Sequence, residues 1–233
     1  MTDSSIQPSL SQIIMTDQER DQMTIGPSIS TITFMRGDID KAITYFREKV
    51  QAIVNANPWL AGRLNKKGKL LSCDYNAESP SIDDIFITPD IIKNQNNKNK
   101  TQLKLPIINT TMSYYDLCAI VGGSICELPN GTVQISKKSS LMRVSIIPNS
   151  KGEPSYAVVV SLSHVICDGF TYYKIMSMLN STTTSTTTGI ESMNAIRKSN
   201  LKELADKAMG SEESRFTNSG ATVCNVSDGC GVV

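Results

Sequence analysis

The 233 residues contain one histidine, one tryptophan and almost no net charge, and each shortage closes off a class of function. A lone imidazole, His164, cannot supply a histidine cluster, and no Cys-x-x-Cys pair occurs among the six cysteines, so a structural zinc site is not expected. Lys plus Arg number 23 against 22 Asp plus Glu, which leaves no field to draw phosphate backbones or anionic lipid; nucleic acid is not expected as a partner. No apolar run reaches the roughly 18 residues of a membrane span. The opening "MTDSSIQPSLSQIIMTDQER" lacks the basic start and apolar stretch of a secretion signal. A cytoplasmic protein without a transmembrane segment and with reduced, scattered cysteines is the expectation, and sequons such as Asn180-Ser181-Thr182 then carry no weight.

The length suits one sizeable core. "SISTITFMRG" (28 to 37) reads as a strand, and the segment after it as a helix: Ile39, Ile43, Phe46, Val50 and Ile53 fall on one stripe, Asp38 stands at the N-cap, and Pro58 sets the limit. "GRLNKKGKLLSCDYN" reads as a hairpin turning at Gly68. Residues 91 to 102 are Asn/Lys-rich and are expected in a surface loop. Three strands are expected between 117 and 148, namely "LCAIVGGSICEL", "TVQISKK" and "LMRVSIIP", with a turn at Pro129-Asn130-Gly131. "SYAVVVSLSHV" is the most apolar strand and should be central; "GFTYYKIMSML" follows as a short helix packed back on it, with Phe170, Tyr173, Met176 or Ser177, and Leu179 to Asn180 at near-helical spacing. The expected fold class is α/β in the broad α+β sense, a mixed β-sheet covered by helices. A domain over 9–180 would be followed by a Ser/Thr linker at 181–190, then by a helix and a tail at 191–233.

Chemistry concentrates in one place. His164 ends the most apolar strand, in phase with Val158, Val160 and Leu162, and Asp168-Gly169 follows it. Asp168 can bond its own backbone in the turn, and Gly169 can supply a positive φ or a close approach. An imidazole there is partly desolvated, stays neutral near neutrality, and can take a proton from a hydroxyl, amine or thiol. The plainer alternative is a packed, hydrogen-bonded core histidine.

His164-Val165-Ile166-Cys167-Asp168-Gly169 resembles the HxxxDG motif of the CoA-dependent acyltransferase superfamily, which includes the BAHD acyltransferases, the chloramphenicol acetyltransferases and the condensation domains of peptide synthetases. "LSQIIMTDQERDQM" before "ISTITFMRG" is similar to the opening of BAHD chains, "VNANPWLAGRL" to their Pro-Leu-Ala-Gly-Arg-Leu segment, and "SSLMRVSIIP" stands where the strand before the motif strand is expected. The likeness runs from about residue 9 to 180. It implies one lobe of a two-lobed fold, with His164 as general base in transfer of an acyl group from acyl-CoA to a hydroxyl or amine of a small-molecule acceptor. No bound cofactor is implied; acyl-CoA is a co-substrate. Asp168 would be structural and pair with an arginine, Arg143 being favoured over Arg63, and Gly169 would keep the turn tight.

Where condensation domains carry a further histidine just before the motif, this chain has Ser163, which favours the BAHD-like branch. No "DFGWG" follows residue 190, and a BAHD enzyme is about twice as long, so the chain reads as an N-terminal half. A second lobe or another copy of the chain would complete the site. The alternative is a non-catalytic half that only binds a ligand or partner. Tyr114-Tyr115 and Tyr172-Tyr173 are read as packing ahead of tunnel lining, and Cys230-Gly231-Val232-Val233 as an ordinary tail, since Gly231 is not aliphatic.

Overall fold

A computed structural model of the chain describes residues 10–16, 18–20, 25–93, 104–149, 155–180 and 189–195. Among the described residues seven strands form two sheets: β1 (Ser11–Ile14), β2 (Ile29–Arg36), β3 (Arg63–Lys67), β4 (Leu70–Tyr75), β5 (Phe86–Ile87), β6 (Met142–Pro148) and β7 (Ser155–Leu162). The main sheet has the order β2-β7-β6-β5, with β5 parallel to β6 and the other pairs antiparallel. A smaller antiparallel sheet has the order β1-β4-β3. Helices α1 (Ile39–Ala56), α2 (Tyr114–Val121), α3 (Gly131–Lys137) and α4 (Gly169–Asn180) are among those that accompany the sheets, in an α+β architecture with a mixed sheet. Among the described residues no helix is long and apolar enough to cross a membrane.

Strand β7 is buried on both faces, as its unbroken apolar run demands of an inner strand. Side chains alternate along it, and along β6 in register. Met142, Val144, Ile146, Tyr156, Val158, Val160 and Leu162 enter the larger core beneath α1 and α4. Ile147, Ala157 and Val159 enter a second cluster on the opposite face with Ile108, Val121 and Cys126.

The expected β2–turn–α1 unit is present. Asp38 accepts from the backbone N–H of Asp40 and Lys41, and Phe46, Val50 and Ile53 are buried. The β3–β4 hairpin turns through Gly68 at φ +61°, a left-handed conformation that suits glycine at the first turn position. Strand β1 is tied to β4 through Asp74. Its desolvation raises the carboxyl pKa, but hydrogen bonds from Gln12, Asn65 and Ser72 and the charge of Lys67 outweigh this and hold it below the usual carboxylate value.

Three expectations are corrected. Segments 117–128 and 132–138 are not strands: Ser113 caps α2 through the Asp116 N–H, Asn130 caps α3 through the Val133 N–H, and these caps begin helices of 8 and 7 residues. Such short apolar stretches are too brief for periodicity to separate helix from strand. The inner face of α4 is Tyr172, Ile175, Met178 and Leu179, whereas Phe170 and Tyr173 are 74% and 73% exposed. The expected mixed sheet is present, and the hairpin pairs with β1 in a second, smaller sheet beside it.

Finally, the fold does not stop at 180. Ile190, Met193 and Ala195 pack against the main core, and residues 190–195 are irregular where a helix was expected from 191. Buried Asn57 holds this segment, donating from Nδ2 to the Glu191 carbonyl (2.9 Å) and accepting at Oδ1 from the Met193 N–H (2.7 Å). Lys174 pairs with Glu191 at 2.8 Å. The expected loop at 91–102 lies mostly outside the described residues, as do the 181–188 part of the linker and residues 196–233.

Candidate functional site

Strand β7 ends at Leu162, and the chain leaves the sheet through a turn spanning 164–166 before α4 begins at Gly169. The Ser163 N–H donates to the Leu141 carbonyl (2.9 Å), extending the β6–β7 pairing by one rung, and Ile166 N–H closes on the Ser163 carbonyl (3.2 Å). His164 is thus the second residue past the strand and the first of the turn. It stands where the sheet meets the next helix, as expected, but the turn sets its direction and the strand's alternation does not.

Its flanks anchor it. Val165, Ile166 and Cys167 are buried in the main core. Ser163 Oγ donates to Gln134 Oε1 of α3 at 2.6 Å, and both residues are buried. Gly131, which opens α3, is pressed against this turn: a Cβ there would lie 2.9 Å from the Ile25 carbonyl oxygen and 3.0 Å from Val165 Cγ2. Helix α3 therefore backs the motif from one side, and glycine is what allows the approach.

The imidazole itself is half-buried. Nδ1 is turned inward and sealed from solvent without a hydrogen-bond partner among the described residues. Nε2 makes no hydrogen bond among those residues and is not sealed, so it is the nitrogen that meets solution. That is the geometry of a ring whose outer nitrogen is free to accept a proton.

Asp168 is at the surface and caps α4. Oδ1 accepts from the Thr171 N–H (2.8 Å) and its carbonyl from the Tyr172 N–H (2.9 Å). The expected pairing of Asp168 with Arg143 is not made. In the β6–β7 register Arg143 lies opposite Ser161, on the face away from α4, and its Nη1 donates to the carbonyls of Ile125 (2.9 Å) and Glu127 (3.0 Å). Arg63 does not substitute, because it pairs with Asp84. Gly169 also departs from expectation. It has no positive φ, and nothing lies within 4 Å of where its Cβ would be, so the described residues place no demand for glycine there.

Sequence reasoning missed Tyr172, which ties α4 to two strands. Its hydroxyl meets Thr31 Oγ1 at 2.7 Å and donates to the Val160 carbonyl at 3.3 Å. Burial pushes its pKa up to about 12, against a lowering by the Thr31 hydrogen bond. Gln134 and Gly131 were missed with α3. The Tyr-Tyr pair at 172–173 did signal an anchor, though only one of the two faces inward.

His164 lines none of three surface cavities of about 420 to 460 Å3. Among the described residues no group of three or more His, Cys, Asp or Glu side chains gathers that could hold a metal ion.

No protein-family model matches the chain, and no curated protein matches it. Among solved structures it is similar to TRI101 of F. graminearum complexed with ethyl coenzyme A, at 10% identity and a TM-score of 0.48, over 73% of this chain and 38% of that one. It is similar to the TRI3 trichothecene 15-O-acetyltransferase of Fusarium sporotrichioides at 11% identity and a TM-score of 0.45, over 73% and 34% of the two chains. The epimerization domain from the third module of tyrocidine synthetase B matches at 11% identity and a TM-score of 0.47, over 93% and 47%. The chain spans less than half the length of each of these three structures.

Proposed function

We propose that the chain is one lobe of an acyltransferase that moves an acyl group from an acyl-CoA thioester to a hydroxyl or amine of a small acceptor, with His164 as general base. The observation that carries this reading is the disposition of the imidazole within the His164–Gly169 motif: Nδ1 inward, Nε2 outward and unpartnered, on a turn held by buried neighbours on both sides. Nε2 takes the proton of the acceptor O–H or N–H as the oxygen or nitrogen attacks the thioester carbonyl carbon. The tetrahedral adduct then collapses with cleavage of the C–S bond, and the same proton passes from Nε2 to the departing sulfur. Asp168 serves by capping α4, and so by fixing the far end of the turn. Arg143 acts at a distance, by bracing the opposite face of the sheet.

A second reading, a non-catalytic binding module, draws on the exposed Phe170 and Tyr173 on the first turns of α4, an apolar patch beside the motif. Release of free CoA thiol from a short acyl-CoA with a panel of alcohols and amines separates the two. Acceptor-dependent release that falls about 100-fold or more in His164→Ala supports catalysis. The reading as a catalyst fails if release is absent, or is unchanged in that variant.

A further inference from the structure

Helix α3 meets the chain on both sides of His164, by two different means. At its start Gly131 lies so close to Val165 that a Cβ there would stand 3.0 Å from Cγ2. One turn on, Gln134 accepts at Oε1 from the Ser163 hydroxyl at 2.6 Å. One short helix thus holds residues 163 and 165, with the imidazole between them. The backbone of Ser163 is secured without it: the N–H donates to the Leu141 carbonyl and the carbonyl accepts from the Ile166 N–H, bonds that almost any residue would make. Only the link to Gln134 depends on the side chain.

That link is a poor arrangement for stability alone. Gln134 is fully buried, and its Nε2 has no hydrogen-bond partner among the described residues, so one bond is made while the amide donors go unmet. Apolar side chains at both positions would fold as well or better, because removing both partners of such a bond leaves nothing unsatisfied. The inner imidazole nitrogen, Nδ1, is sealed and unpartnered too, so no hydrogen bond of its own fixes the ring. Its direction is set by the turn and the packing beneath it. We propose that Gln134 is a positioning residue for His164: through the Ser163 hydroxyl it holds the turn so that Nδ1 stays inward and Nε2 faces solution. The proposal rests on the reading of His164 as general base and extends it to a helix residue 29 positions before Ser163.

The test uses the full chain and three variants, Ser163→Ala, Gln134→Leu and the two combined. Each is followed by thiol release, by urea unfolding and by NMR of the imidazole, which belongs to the only histidine in the chain. Each single variant should lower kcat about tenfold at unchanged KM, and the double variant should fall no further, because the bond is already gone. The double variant should nevertheless be as stable as the parent or more so, which a purely structural role for the pair would not allow. In all three the ring signals should shift and broaden as the imidazole loses its fixed direction. A double variant that loses about 100-fold, or is less stable than the parent, overturns the proposal; so does a rise in KM at unchanged kcat, or ring signals that match the parent's. If the parent releases no thiol, the general-base reading fails by itself, and the ring signals still decide whether Gln134 orients the imidazole. If Gln134→Leu does not fold, Ser163→Ala, which removes a single oxygen, decides by its kcat and its ring signals.

Discussion

The two faces of strands β6 and β7 are built from alternate residues of the same sequence, yet they solve different problems. On the face under α1 and α4, each side chain from Met142 to Ile146 and from Tyr156 to Leu162 that points inward joins the larger apolar core. On the opposite face, Ile147, Ala157 and Val159 share the surface with Arg143, Ser145 and Ser161, and Ser161 Oγ accepts from the Ser30 hydroxyl (2.8 Å) and the Leu128 N–H (3.1 Å). The first face fixes where β7 stops and α4 begins, and with them the turn that carries His164. The second holds loops by hydrogen bonds and leaves donors unmet. The two faces of one sheet thus divide the work, apolar packing on one side and hydrogen bonding of loops on the other.

Adjacent residues on β6 offer the most direct way to break this contrast. Ile146→Ala removes a fully buried side chain from the large core and should cost about 4 kcal/mol, whereas Ile147→Ala, on the polar-bordered face, should cost about 2 kcal/mol. Urea unfolding of both variants measures the difference, and equal losses would mean that the two faces pack alike. Gly131→Ala comes next. Its Cβ collides with the Ile25 backbone and Val165, so about 1 to 3 kcal/mol should be lost and the His164 turn displaced, while Gly169→Ala, with open space and an ordinary φ, should stay within about 0.5 kcal/mol of the parent. Thermal unfolding checks both, and a strongly destabilised Gly169→Ala would show that something covers that helix end.

Tyr172→Phe gives a smaller loss than the core and Gly131 variants, about 1 kcal/mol at neutral pH from loss of the hydroxyl's bonds to Thr31 and Val160. Its pH dependence is more telling. The folded pKa lies above the ordinary tyrosine value, so the stabilisation is complete below about pH 10 and is lost as pH rises toward about 12. Alkaline titration of stability should show this loss in the parent and a flatter limb in Tyr172→Phe.

What could be read from the sequence follows from how local each cause is. The β2–α1 unit was legible because Asp38, an apolar stripe and Pro58 are neighbours in the chain, and β7 because a run of apolar residues that short and that β-branched has few other homes. His164 was legible by being the lone histidine before an Asp-Gly pair. The failures share a non-local cause. Helix α3 is seated by distant neighbours, its Gly131 N–H on the Ile25 carbonyl and its backbone against Val165, so its β-branched residues misled. The partner of Asp168 was sought on β6 without regard to parity: Arg143 is out of phase with Met142 and Val144, so it faces away from the helix that Asp168 caps. The need for glycine at 131, and its absence at 169, depends on neighbours that only the folded chain brings close.

The clasp at Asn57 carries a consequence for synthesis. Its amide meets backbone partners 134 and 136 positions later, so the end of α1 waits, partly unsatisfied, until residue 193 has emerged from the ribosome. Final consolidation around α1 is therefore tied to that emergence, and a pause before it would hold an open and sticky nascent chain.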